Sequence, residues 1–184
     1  MMAEAYGKLT GKPGICMVTR GPGATNAYAG IHIAKQDSTP LIMFVGQVDT
    51  AMREREAFQE MDYRAVFGTQ TKWSTEIDEA ARIPELVSRA FHSALSGRPG
   101  PVVVALPENM LTTQAIAQDA AKVQEIAMAP NDEQVAQAIN MLSQAKKPLI
   151  IVGGSRWNKE SVQGLIKFAE RTQIPVAVEF RRQM

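Results

Sequence analysis

Apolar and polar positions along this chain follow two rhythms. Short unbroken apolar runs mark residues 15–19, 41–45, 101–107 and 149–152, with shorter candidates at 73–77 and 176–178. Runs of that length suit parallel strands buried on both faces. Between them lie segments with apolar residues at helical spacing. Ala24, Ala27, Tyr28 and Ile31 predict a helix over 24–35. Val87, Ala90, Phe91, Ala94 and Leu95 predict one within 78–95, with Pro84 at an internal start. Val135, Ile139 and Leu142 mark a helix ended by Lys146-Lys147-Pro148, and Val162, Leu165, Ile166 and Ala169 mark one over 158–171. Residues 2–10 read as a helix closed by Gly11, and 49–72 as a mixed, charged, loop-like stretch. Strands alternating with helices predict an α/β fold with a Rossmann-like parallel sheet flanked by helices, then one βαβ unit opening a second Rossmann-like domain. The expected division is 1–113, a linker over 114–130, and 131–184.

The most informative stretch joins the first strand to the helix after it, through Gly21-Pro22-Gly23. Pro22 fixes φ and removes a donor, and the flanking glycines remove bulk. Thr25 and Asn26 fall in the first helical turn, where free N–H groups and the positive dipole end favour an anion or a polar ring edge. Two readings stand side by side: a tight strand-to-helix turn, and a loop built for a flat ligand. The pattern is G-x-G-x-x-N rather than the dinucleotide G-x-G-x-x-G.

Composition removes several classes. The 184 residues include 20 basic and 19 acidic side chains, for a net charge of +1. That balance provides no basic stripe for nucleic acid. No apolar run approaches the roughly 18 residues of a membrane span, and the start, Met1-Met2-Ala3-Glu4, has no signal-peptide pattern. One cysteine, Cys16, excludes an internal disulfide and reads as a small buried hydrophobe in a reducing, cytoplasmic setting. His32 and His92 sit in no metal-binding spacing.

Several motifs then fall in register. Met2-Ala3-Glu4-Ala5-Tyr6-Gly7, Gly11-Lys12-Pro13-Gly14 and Gly21-Pro22-Gly23-Ala24-Thr25-Asn26 are followed by Asp37-Ser38-Thr39-Pro40-Leu41, Gly46-Gln47-Val48, Ala57-Phe58-Gln59-Glu60 and Ser96-Gly97-Arg98-Pro99-Gly100-Pro101-Val102. Together they resemble thiamine-diphosphate-dependent enzymes, closest to acetolactate synthase and related 2-oxoacid-decarboxylating enzymes. The resemblance covers a pyrimidine-binding domain and the start of a central domain. It implies thiamine diphosphate with Mg²⁺, the metal site belonging to a C-terminal domain, and FAD in flavin-bearing members. It implies a small 2-oxoacid substrate and a homodimer or homotetramer. No catalytic residue is expected here: the family's glutamate is expected before Met1, and Glu4 is expected to be a solvated helix residue.

Residue by residue, the resemblance implies that Pro22, Gly23 and Asn26 line the pyrimidine face, and that Phe58 and Gln59 reach the active site, a core aromatic being the other reading of Phe58. Gln47 ends a strand where α/β folds place ligands; its other reading is a surface turn residue. Arg98, Gly153 and Gly154 resemble flavin-contacting positions. Three positions depart from the pattern: Asp49 where proline is usual, Glu108 where lysine is usual, and Ser155 where flavin members often have glycine. The chain is thus expected to be part of such an enzyme, inactive by itself, with a non-catalytic flavin- or nucleotide-binding or assembly module as the alternative.

Overall fold

The computed structural model describes residues 1–126 and 128–182. The chain forms two compact units, Met1–Ile126 and Ala127–Met184.

In the first unit the order is α1 (Met2–Thr10), β1 (Gly14–Val18), α2 (Pro22–Asp37), β2 (Leu41–Gln47), α3 (Tyr63–Phe67), β3 (Trp73–Glu76), α4 (Ile83–Leu95), β4 (Pro101–Pro107) and α5 (Glu108–Thr112). The four strands form one sheet in the order β1-β2-β4-β3, and every neighbouring pair is parallel. The side-chain period of two divides β2 and β4 between the sheet's faces. Met43, Val45, Val103 and Ala105 pack with Ala24, Ile31 and Ala34 of α2 and Tyr63 and Phe67 of α3. Ile42, Val102 and Val104 pack with Leu86, Ala90 and Ala94 of α4. An α/β sheet covered on both faces is therefore what the apolar runs encode.

Local chemistry sets the element ends. Pro22 stands in the first turn of α2, and Pro84 in that of α4, where a missing N–H costs nothing. Hence α2 starts two residues before the expected boundary. The segment after Ile77 forms a single 3₁₀ turn, Ala80–Arg82, ahead of α4. The expected loop over 49–72 contains α3, because the Asp62 carboxylate caps it by accepting from the Arg64 and Ala65 N–H groups and Tyr63 and Phe67 bury one face.

Two expectations are corrected. Glu4 is 8 % exposed rather than solvated, and the Thr39 hydroxyl donates to its Oε1 at 3.4 Å. The reason is how tightly α1 lies against the sheet: a Cβ on Gly14 would stand 1.8 Å from the Ala3 carbonyl oxygen, and one on Gly7 2.4 Å from that of Pro40. Cys16 is half-buried: it packs on the core from the covered face of β1, which lies at the edge of the sheet. Its other face carries Ile15 and Met17, 52 % and 72 % exposed. Burial pushes the Cys16 thiol above its ordinary range.

The second unit holds α6 (Asp132–Gln144), β5 (Ile150–Val152), α7 (Lys159–Thr172) and β6 (Val176–Val178), with β5 and β6 parallel. A capping box opens α6: the Gln134 N–H donates to Asn131 Oδ1 at 2.8 Å, and the Asn131 N–H to Gln134 Oε1 at 3.1 Å.

Ile42 is fully buried in β2. We expect Ile42→Ala to lower stability by about 2–5 kcal/mol, the usual cost of a core cavity, read as a shift in the urea midpoint by circular dichroism.

Candidate functional site

A parallel sheet brings the carboxyl ends of all its strands to one edge, where α/β folds hold ligands. Here that edge gathers the Gly21-Pro22-Gly23 turn after β1, Gln47 at the end of β2, Glu76 at the end of β3 and Glu108 after β4. The segment between β2 and α3 lies against it.

The turn is held from several directions. The Tyr63 hydroxyl donates to the Gly46 carbonyl at 3.0 Å and accepts from the Gly21 N–H at 3.1 Å. Arg20 Nε donates to the Phe58 carbonyl at 3.1 Å, and the same guanidinium pairs with the Glu108 carboxylate. Gly21 has φ 57°. A Cβ there would meet Gln59 Cβ at 2.9 Å and its carbonyl oxygen at 3.1 Å, and one on Gly23 would meet Thr19 Cγ2 at 2.8 Å. The glycines therefore serve the turn's own packing. Pro22 and Asn26 are left exposed, while the Thr25 hydroxyl turns back to the Pro22 carbonyl at 3.0 Å.

Phe58 is 76 % exposed, so it is not a core aromatic. Gln47 is 3 % exposed rather than a surface turn residue. Its Nε2 donates to the Met61 carbonyl at 2.8 Å, and its Oε1 accepts from the Val48 N–H at 3.1 Å. Gln47 thus braces the segment that carries Phe58 and Gln59. Pro22, Gly23 and Asn26 thus lie in the turn and the first turn of α2, Gln59 packs on Gly21, and the Phe58 carbonyl is tied to Arg20.

Arg98 lies elsewhere. It precedes β4 and so belongs to the sheet's amino edge. Its Nε donates to Ser38 Oγ at 2.7 Å, and Nη2 to the Lys35 and Gln36 carbonyls at 3.2 Å each, closing the C-terminus of α2. Gly153 and Gly154 belong to the second unit, after β5. Gly154 has φ 75°, the Trp157 indole N–H donates to the Gly153 carbonyl at 2.8 Å, and a Cβ on Gly153 would lie 3.4 Å from Glu179 Cβ.

Arg20, Tyr63, Arg53 and Glu60 were not among the expected site residues, although Glu60 stands in the Ala57-Phe58-Gln59-Glu60 motif. Arg53 Nη2 pairs with the Glu76 carboxylate and donates to Asp78 Oδ1 at 3.2 Å, while its Nε is buried without a partner. Burial holds the Glu76 carboxyl above the usual carboxylate range, against the pull of Arg53. Burial likewise raises the Tyr63 phenol, opposed by the Gly21 N–H. The one sequence signal for Tyr63 was its place after a capping aspartate. Two of the three departures from the family pattern have local roles: Asp49 accepts from the Ala51 N–H at 2.8 Å, and Glu108 pairs with Arg20.

Residues 1–66 match the family model described as the thiamine pyrophosphate enzyme N-terminal TPP binding domain. Residues 135–184 match that of the thiamine pyrophosphate enzyme central domain. The chain is 40 % identical over 178 residues to an acetolactate synthase large subunit of Lactococcus lactis subsp. lactis, with 95 % of this chain and 31 % of that protein covered. It is 38 % identical over 181 residues to a chloroplastic acetolactate synthase of Arabidopsis thaliana, with 95 % and 27 % covered. It is 38 % identical over 187 residues to a mitochondrial acetolactate synthase of Schizosaccharomyces pombe, with 95 % and 28 % covered. The chain belongs to the thiamine pyrophosphate enzyme family and is acetolactate synthase-like within it. It spans less than a third of the length of these relatives.

Pro22, exposed on a turn fixed by the Tyr63 hydroxyl, offers one face to a flat heterocycle. A divalent metal is different: among the described residues no group of three or more His, Cys, Asp or Glu could hold one. No helix among them is long and apolar enough to cross a membrane.

Two outcomes are expected. Tyr63→Phe leaves the buried Gly21 N–H without its acceptor and should cost about 1–3 kcal/mol, measured by urea unfolding. A raised folded pKa for Glu76 means that its stability contribution is complete below the ordinary glutamate range and is lost as pH rises through the raised value; Glu76→Gln should flatten that fall in a series of urea midpoints against pH.

Proposed function

We propose that this chain forms the pyrimidine side of a thiamine diphosphate site in an acetolactate synthase-like enzyme acting on a small 2-oxoacid. The observation that carries the proposal is the Gly21-Pro22-Gly23 turn, braced by Tyr63 and Gln59 with Phe58 exposed beside it. The bound cofactor would supply a nucleophilic carbon and an electron sink. Pro22, Gly23 and Asn26 would flank its pyrimidine ring. Phe58 and Gln59 would border the 2-oxoacid, shed water from it and limit its size, and Gln47 would hold their segment in place.

The diphosphate and Mg²⁺ are assigned to the C-terminal domain that the family resemblance implies. The carboxylate that works on the pyrimidine nitrogen is likewise assigned elsewhere. Glu4 does not serve, being buried against Thr39, which precedes β2 at the amino edge. FAD is left out of the proposed site, since the Arg98 guanidinium already serves Ser38 and two helix carbonyls. A homodimer or homotetramer and a cytoplasmic setting complete the proposal. The exposed edge strand β1 favours the first, and the single unpaired Cys16 accords with the second.

The test compares the 184-residue chain with the longest polypeptide its gene encodes, each assayed for acetolactate from pyruvate with thiamine diphosphate and Mg²⁺. We expect turnover by the longer polypeptide only, and a loss of roughly tenfold or more in kcat/KM for Phe58→Ala. Cofactor-independent turnover, or a Phe58→Ala variant that behaves as wild type, would refute it.

A further inference from the structure

Segment 53–60 is held in a conformation its residues do not favour. Three non-glycine residues have left-handed backbone: Glu54 at φ 59°, Glu56 at 53° and Gln59 at 63°. Such residues persist only when their surroundings over-determine them. Inside the segment, one side chain does most of that. Glu60 Oε1 accepts from the Glu54 N–H at 2.7 Å, and its Oε2 accepts from the Ala57 N–H at 3.2 Å. The Glu60 N–H donates back to the Ala57 carbonyl at 3.0 Å. Both oxygens of one carboxylate thus pin the start and the middle of the strained turn, each through a charge-assisted bond.

The next link is steric. Between the Ala57 and Glu60 attachments lie only Phe58 and Gln59. Gln59 presses its Cβ and carbonyl against Gly21, and the Phe58 carbonyl receives Arg20. The Phe58 ring has no burial of its own to fix it.

Building on the function proposed above, we infer that Glu60 is a positioning residue: its carboxylate sets the backbone that aims Phe58 and Gln59 at the Gly21-Pro22-Gly23 turn. It thereby governs 2-oxoacid affinity without touching the substrate. Removing the clamp lets the segment open. If substrate binds only the closed form, apparent affinity falls by the closed fraction while the bound complex reacts as before. KM therefore rises and kcat holds. A variant that merely misfolds does the opposite, losing active sites and so apparent kcat at an unchanged KM.

The experiment uses Glu60→Ala and the isosteric Glu60→Gln. Opening is read as tryptic cleavage after the exposed Arg55, which tracks the open population. Kinetics are read on the longest polypeptide the gene encodes, with pyruvate. Expected for Glu60→Ala are roughly tenfold or greater rises in both cleavage rate and KM, with kcat within about twofold, as loss of charge-assisted bonds predicts. Glu60→Gln, which keeps one acceptor oxygen, should fall between it and wild type. Unchanged cleavage overturns the clamp. Faster cleavage at an unchanged KM overturns its role at the site. A wild-type polypeptide without pyruvate turnover overturns the proposed function itself, and the cleavage comparison then still decides whether Glu60 clamps the segment.

Discussion

The hydroxyl of Tyr63 joins three segments far apart in the chain. It accepts the N–H of Gly21 and donates to the carbonyl of Gly46, while its ring is 2 % exposed under the sheet. Gly21 sits at positive φ and has no freedom to seek another partner. Its buried N–H is satisfied only because α3 brings a phenol there, and a buried donor left unmade is costly. The ring in turn is located by Phe67, 6.3 Å away centre to centre, which packs on Tyr28 of α2 at 5.4 Å. Turn, short helix and long helix therefore constrain one another.

Around that bond the two edges of the sheet have different tasks. At the amino edge the contacts are structural: Arg98 closes the end of α2, Lys8 pairs with Asp37 at 2.7 Å, and Thr39 holds Glu4. At the carboxyl edge, strained backbone and exposed groups accumulate. The Phe58 segment is tied down by Gln47, Arg53 and Glu60, yet its ring faces solvent.

Parallel β2 and β4, the helices that cover them and the place of the turn were all legible in the residues. Burial on both faces writes an unbroken apolar run, and Pro beside Gly marks a chain reversal. The candidate site was legible in part. Pro22, Gly23, Asn26, Phe58 and Gln59 stood out by motif, and of these the structure sets Gln59 against the turn at Gly21 and ties the Phe58 carbonyl to Arg20. What each glycine is for did not show, because the partners of Gly21 and Gly23 are Gln59 and Thr19, and such contacts leave no periodic trace.

Three things lay beyond the sequence. The edge position of β1 left Cys16 and Ile15 less covered than an apolar run implies. The pressing of α1 onto the sheet buried Glu4. The folding of 49–62 into a clamped segment gave Gln47, Arg53 and Glu60 their roles. The chain by itself determined which stretches become strands, helices and the Gly-Pro-Gly turn, because those depend on period and backbone chemistry a few residues long. Only the tertiary structure decided which polar side chains hold that turn. Their partners lie in other segments, and it is the parallel register that brings the strand ends together.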